Sequence, residues 1–219
     1  MPPLFDLPAP ATVIALSFAI GVLPVAMVML TAYTKIVVVL ALLKNALGLQ
    51  QVPPPIVTNG LALVLTWYVM YPVGLEIAGN LQQTHGAAGM RKASVFDVVK
   101  AADAPMRSFL RKHASERERA FFVDASRRLS KDKVAAVTPD DFVVLVPAFV
   151  LSQLTEAFLI GVIIALPFLV IDLVVANVLM ALGMQMMAPL TVSLPLKLVL
   201  FVVLDGWSRL SHALVLTYR

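Results

Sequence analysis

The sequence has no cysteine and little charge. Without cysteine there can be no disulfide and no thiolate metal ligand, and no redox compartment is excluded. Charged residues make up only 14% of the chain, against roughly 25% in a soluble globular protein. His85, His113 and His212 lie far apart and fit no His-Glu-x-x-His spacing, so they propose no zinc site. There is no phosphate-binding glycine loop, no nucleophile elbow and no nucleophile–base pairing, so the sequence offers no catalytic residues. The net charge of +4 comes without an aromatic-rich basic stripe and does not point to nucleic acid.

What the chain has in excess is apolar sequence: 60% of its 219 residues are hydrophobic. The charge that remains is segregated. Segment 91–141 holds 12 Lys/Arg and 8 Asp/Glu, which is 20 of the chain's 30 charges. A small polar module is therefore set into a chain otherwise suited to lipid. About 20 apolar residues suffice for a helix to cross a bilayer.

Residues 7–34 carry no charge and predict a first hydrophobic helix, kinked at Pro24. It has no basic leader region and no small-residue cleavage pattern near its end, and reads as a retained segment. Residues 45–55, with Gly48 and Pro53 to Pro55, read as a turn. A second hydrophobic helix is expected from about Ile56 to Leu75, followed by a flexible Gly-, Gln- and Ala-rich lead-in over 77–90. In the polar module, Ser94 with Asp97 and Ser115 with Glu118 resemble capping boxes, and Pro105 breaks the first helix or starts the next. Asp124 and Arg128 form an i,i+4 pair. Thr138 reads as an N-cap and Pro139 as the first residue of a long helix, with acids in its first turn suited to the helix dipole. The third hydrophobic segment, about 142–182, is too long for one straight crossing and is punctuated by Pro147 and Pro167. A Met-rich loop follows, then a fourth segment from about Leu190 to Leu204.

The organisation predicted is all-α: a hydrophobic helical hairpin over 1–76, a polar helical module over 77–141, and a second hydrophobic hairpin over 142–219. Lys35 and Lys44 flank the first turn, which places that turn in the cytoplasm and the polar module in the periplasm.

Several charged or polar residues lie in or beside apolar stretches: Lys35, Asn59, Glu156, Asp172, Lys197 and Asp205. Each charge would cost about 2.5–3.5 kcal/mol at a lipid-facing helix centre. Pairing, burial between subunits or contact with an aqueous channel would relieve that cost. Asp172 lies 11 residues before the Met-rich loop and Lys197 lies 8 after it, so a hairpin brings them to similar depth. A structural ion pair and a gating pair are both open. Met184, Met186 and Met187 have three readings: ordinary core packing, a deformable seal of flexible thioethers, and a soft Cu(I) site that no cysteine or nearby histidine supports.

Long ordered stretches resemble the FliP/SctR family of type III secretion export-gate subunits. They are residues 33–54 (YTKIVVVLALLKNALGLQQVPP), 59–63 (NGLAL), 147–149 (PAF), 166–176 (LPFLVIDLVVA) and 193–207 (SLPLKLVLFVVLDGW). The resemblance implies a pentameric helical assembly with SctS-type and SctT-type subunits, forming a pore for unfolded secreted proteins in the bacterial inner membrane. It implies no cofactor. It assigns Met184, Met186 and Met187 to a gasket that closes the channel, with Gln185 departing from the all-methionine run of flagellar members. The N-terminal segment is more similar to injectisome members than to flagellar ones. A small-solute or ion transporter using Asp172 and Lys197 is the alternative, although no two-fold internal similarity supports it.

Overall fold

The computed structural model describes residues 17, 21, 24–25, 27–49, 52–85, 95–129, 137–184 and 186–219, and among them every regular element is an α-helix. The first hydrophobic segment and the Ser94 cap therefore lie largely outside the described residues, apart from helical residues such as 27–30.

The centre of the molecule is a helix that periodicity alone did not single out. α1, Tyr33–Ala46, contains the run Ile36 to Val39, whose branched side chains disfavour helix. Burial overrides that preference: Ile36, Val39, Leu40 and Leu43 are at most 1% exposed and recur at helical spacing. α1 lies along α5, Phe142–Ala181, and the two run in the same direction, with Lys35 meeting Glu156 and Leu42 meeting Gly161. The approach at Gly161 is close, since a Cβ there would fall 2.2 Å from Leu42 Cδ1 and 2.9 Å from Leu42 Cβ.

α2 spans Pro55–His85, ten residues beyond the expected end. The lead-in expected to be flexible is helical as far as 85. A tertiary anchor holds it: Leu81 is buried and Asn80 Nδ2 donates to the Ala101 carbonyl of α3 at 3.1 Å. α3, Val95–His113, continues through Pro105, where a break was expected. The loss of one backbone hydrogen bond is offset by burial of Phe109 and Leu110 and by Arg107, which donates to Asp103 and to the Asp140 carbonyl. α4, Glu116–Leu129, starts at Ser115, whose Oγ accepts the Glu118 N–H at 3.3 Å. Asp124 and Arg128 pair on it at 2.8 Å.

Thr138 and Pro139 are in a turn before α5 and not in its first positions. The extended residue Asp141 precedes the helix, and its carboxylate reaches back to accept the Thr138 N–H at 2.7 Å. That bond holds the Asp141 carboxyl below its ordinary pKa. α5 then runs unbroken for 40 residues through Pro147 and Pro167, about 60 Å at 1.5 Å per residue. α6, Pro189–Val203, returns beside it, and α7, Gly206–Leu216, leaves at a 63° bend. Asp205 at the bend adopts φ 51°, and α7 is an element the sequence reading did not foresee.

α2 and α5 are each long and apolar enough to cross a membrane, and the bent pair α6–α7 is a third candidate. One apolar cluster joins α1, α3, α5 and α7, so residues from all three sequence segments share a core.

Candidate functional site at two buried lysines and a methionine turn

α1 ends in a left-handed Gly48 (φ 77°), with the Leu49 N–H bonding the Lys44 carbonyl and the Gly48 N–H bonding the Asn45 carbonyl. This Schellman arrangement satisfies two of the helix's terminal acceptors and leaves the Ala46 carbonyl. Lys197 of α6 supplies the missing donor. Its Nζ lies 3.2 Å from the Ala46 oxygen and 2.6 Å from Asp172 Oδ2 on α5. The Lys197 side chain is 2% exposed and that of Asp172 is 41% exposed. A cation at a helix C-terminus also meets the negative end of its dipole. One ammonium thus ties α1, α5 and α6 together.

The second lysine sits at the other end of α1. The Lys35 side chain is 1% exposed and its Nζ lies 2.5 Å from Glu156 Oε2, whose side chain is half exposed. The contact is an ion pair without hydrogen-bond alignment, and the buried ammonium has no aligned acceptor among the described residues. The Tyr218 ring covers it at 4.3 Å, a cation–π contact. Tyr218 Oη donates to Gln153 Oε1 at 2.6 Å, and Gln153 Nε2 donates to the His113 carbonyl at 3.0 Å. Next to it, the Ser115 N–H donates to Ser152 Oγ at 2.9 Å. Burial raises the Tyr218 hydroxyl above its ordinary range. Burial first, then the charges of Lys112 and Lys35, lower His113 to about 4.

The remaining charged and polar candidates are not buried within this chain alone. Asn59 is exposed on α2. Asp205 is exposed at the bend, where its Oδ1 accepts the Ser208 hydroxyl at 3.0 Å. Glu156 is half exposed despite its pairing. In each case this chain's own helices cover only one side of the residue. Lys35 is also not the loop charge on which the sidedness argument leaned, because it lies inside α1 with an anionic partner; only Lys44 remains near the turn, donating to the Pro53 carbonyl.

The methionines occupy a turn fixed by a second Schellman end. Gly183 has φ 75°, the Met184 N–H bonds the Leu179 carbonyl, and the Gly183 N–H bonds the Met180 carbonyl. The Met187 N–H then bonds the Met184 carbonyl at 3.2 Å, and Pro189 opens α6. Met186 is fully exposed and Met184 and Met187 are nearly half exposed, so the turn offers its thioethers outward from this chain. Gln185 lies outside the described residues.

Residues 16–214 match the FliP family. The chain belongs to that family. It is 52% identical to a "Pathogenicity-related ORF2" of Xanthomonas campestris pv. glycines, over 91% of this chain and 93% of the relative. It is 49% identical to the "Hypersensitivity response secretion protein HrcR" of Ralstonia nicotianae, over 95% and 97%. It is 44% identical to the "Yop proteins translocation protein R" of Yersinia pestis, over 98% and 99%.

In this FliP-family chain, sequence reasoning named Lys35 and Glu156 separately and did not pair them, and it missed Gln153 and Tyr218. One signal was present. Ser152, Gln153, Thr155 and Glu156 fall within five residues of an otherwise apolar 40-residue helix, a polar cluster that requires partners.

Proposed function

We propose that the chain is a pore-forming core subunit of a type III secretion export apparatus in the bacterial inner membrane. It acts as a structural subunit and performs no chemistry. The observation that carries the reading is the match, over nearly the whole length, to relatives named for secretion and translocation. The shape supports it: in the most apolar 18-residue stretches of α2 and α5 only 11% and 17% of the residues are buried within one chain, an exterior suited to lipid and neighbouring subunits. The finer reading is that several copies, five by family resemblance, assemble with SctS-type and SctT-type subunits around a path for unfolded proteins. Met184, Met186 and Met187 then converge as a seal that repacks around a passing chain. The polar helices α3 and α4 face the periplasm. Purification from inner membranes in mild detergent tests the proposal. The expected product is a large complex holding several copies of this chain and two smaller hydrophobic subunits in fixed ratio. A single chain that binds a small solute saturably would overturn it in favour of a transporter.

A further inference from the structure

Tyr218, just past the end of α7, touches three separate elements at once. Its ring lies over the Lys35 ammonium of α1 at 4.3 Å. It stacks on Phe109 of α3 with centroids 6.2 Å apart and planes 11° apart, and it meets the His113 ring edge-on at 5.0 Å. Its hydroxyl donates to Gln153 of α5 at 2.6 Å and approaches the Ala32 carbonyl at 3.4 Å. Gln153 in turn holds the His113 carbonyl at the end of α3, where that helix gives way to α4. We infer that Tyr218 is a latch by which the bent α6–α7 arm clamps the polar pair α3–α4 onto the α1–α5 frame, so that movement of the arm is passed to the polar pair. The mechanism is local. Withdrawing the ring removes the aromatic wall of α3, uncovers a buried ammonium and leaves the Gln153 oxygen without its donor. Each of these loosens the α3–α4 junction. At the other end of α1 the arm is tied separately, by Lys197 to the Ala46 carbonyl and Asp172, and withdrawing the Tyr218 ring leaves those bonds in place.

The inference is independent of what the pore conducts. Amide hydrogen exchange on the full-length chain in detergent, measured peptide by peptide, tests it. Tyr218→Ala should speed exchange over 108–124 by tenfold or more while leaving α6 and residues 43–47 within twofold of wild type. Tyr218→Phe keeps the ring and loses both hydroxyl contacts, and should give a smaller rise in the same peptides. His212→Ala, on the exposed side of α7, should give none. Unchanged exchange at 108–124 would overturn the latch. So would a uniform rise that includes α6, which would make Tyr218 an ordinary core residue. If the Ala chain cannot be recovered, the Phe variant decides by the same two criteria.

Discussion

Lys35 and Lys197 are both buried, and both face a partly exposed carboxylate on α5, yet their ammonium groups are satisfied differently. Lys197 makes two hydrogen bonds, one to Asp172 and one to the Ala46 carbonyl that α1 leaves open at its end. Lys35 makes an ion pair without alignment and depends on an aromatic ring for the rest of its shelter. The first site is a helix cap that happens to be charged. The second is a junction where the polar helices, the α7 arm and the α1–α5 frame meet. The difference teaches that the charges of this apolar chain do not serve one purpose: one lysine fixes a hairpin and the other connects layers. Both sites rest on the packing of α1 against α5.

The comparison breaks most completely if that shared packing is removed. Gly161→Val places a branched side chain where Leu42 already sits, and should destabilise the chain by about 3 kcal/mol. Leu42→Ala in the same chain should restore part of the loss, measured as recoverable folded protein and thermal midpoint in detergent. If Gly161→Val matched wild type, α1 and α5 would not cross as described.

Removing one carboxylate at a time sharpens the contrast. Asp172→Leu leaves a buried ammonium with only the Ala46 carbonyl, and should cost about 2–3 kcal/mol, below the 3–5 of a fully buried pair because Asp172 is partly exposed. Lys197→Met should also destabilise, because it leaves the Asp172 carboxylate without its cation. The double variant should be milder than the sum of the two, as expected for residues in contact. Glu156→Leu should cost about 3 kcal/mol, more than Asp172→Leu, because the buried Lys35 ammonium keeps no acceptor and only the Tyr218 ring covers it. Equal losses at Glu156 and Asp172 would erase the distinction drawn between the sites.

Acid acts on the junction through one group. His113 is held to about 4, against an ordinary value near 6.5. Between those values the unfolded chain binds a proton that the folded chain refuses, so stability falls as pH drops from about 6.5 toward 4 and is unaffected by this group above that window. His113→Gln should flatten that part of the stability profile, with no change at pH 8. A profile that keeps its slope in the Gln variant would assign the acid sensitivity elsewhere.

The Asp172–Lys197 proximity was legible because a short loop joins their helices and counting along each arm gives comparable depth. Lys35 and Glu156 are separated by the whole polar module, and no local rule fixes which turn of α5 meets α1. The same limit explains α1 itself. Its branched residues argue weakly against helix, and only the packing of Ile36, Val39 and Leu43 on α5 decides the matter. The proline positions misled for a related reason. Pro105, Pro147 and Pro167 lie inside helices whose neighbours hold the chain in register, whereas Pro139 is in a turn because Asp141 reaches back to Thr138. The methionine turn was visible as composition, and its Schellman geometry follows from Gly183.

The central claim is that this turn seals a channel made by several copies, and ion conductance tests it most directly. Met184, Met186 and Met187 would be replaced together by Ala in the assembled complex, reconstituted in planar bilayers beside wild type, with the size of the oligomer checked on the same preparation. A ring of unbranched apolar side chains excludes ions by dewetting. Shortening all three should therefore leave the oligomer intact and let the closed channel pass small ions that wild type excludes. An intact oligomer that stays as tight as wild type would contradict the account.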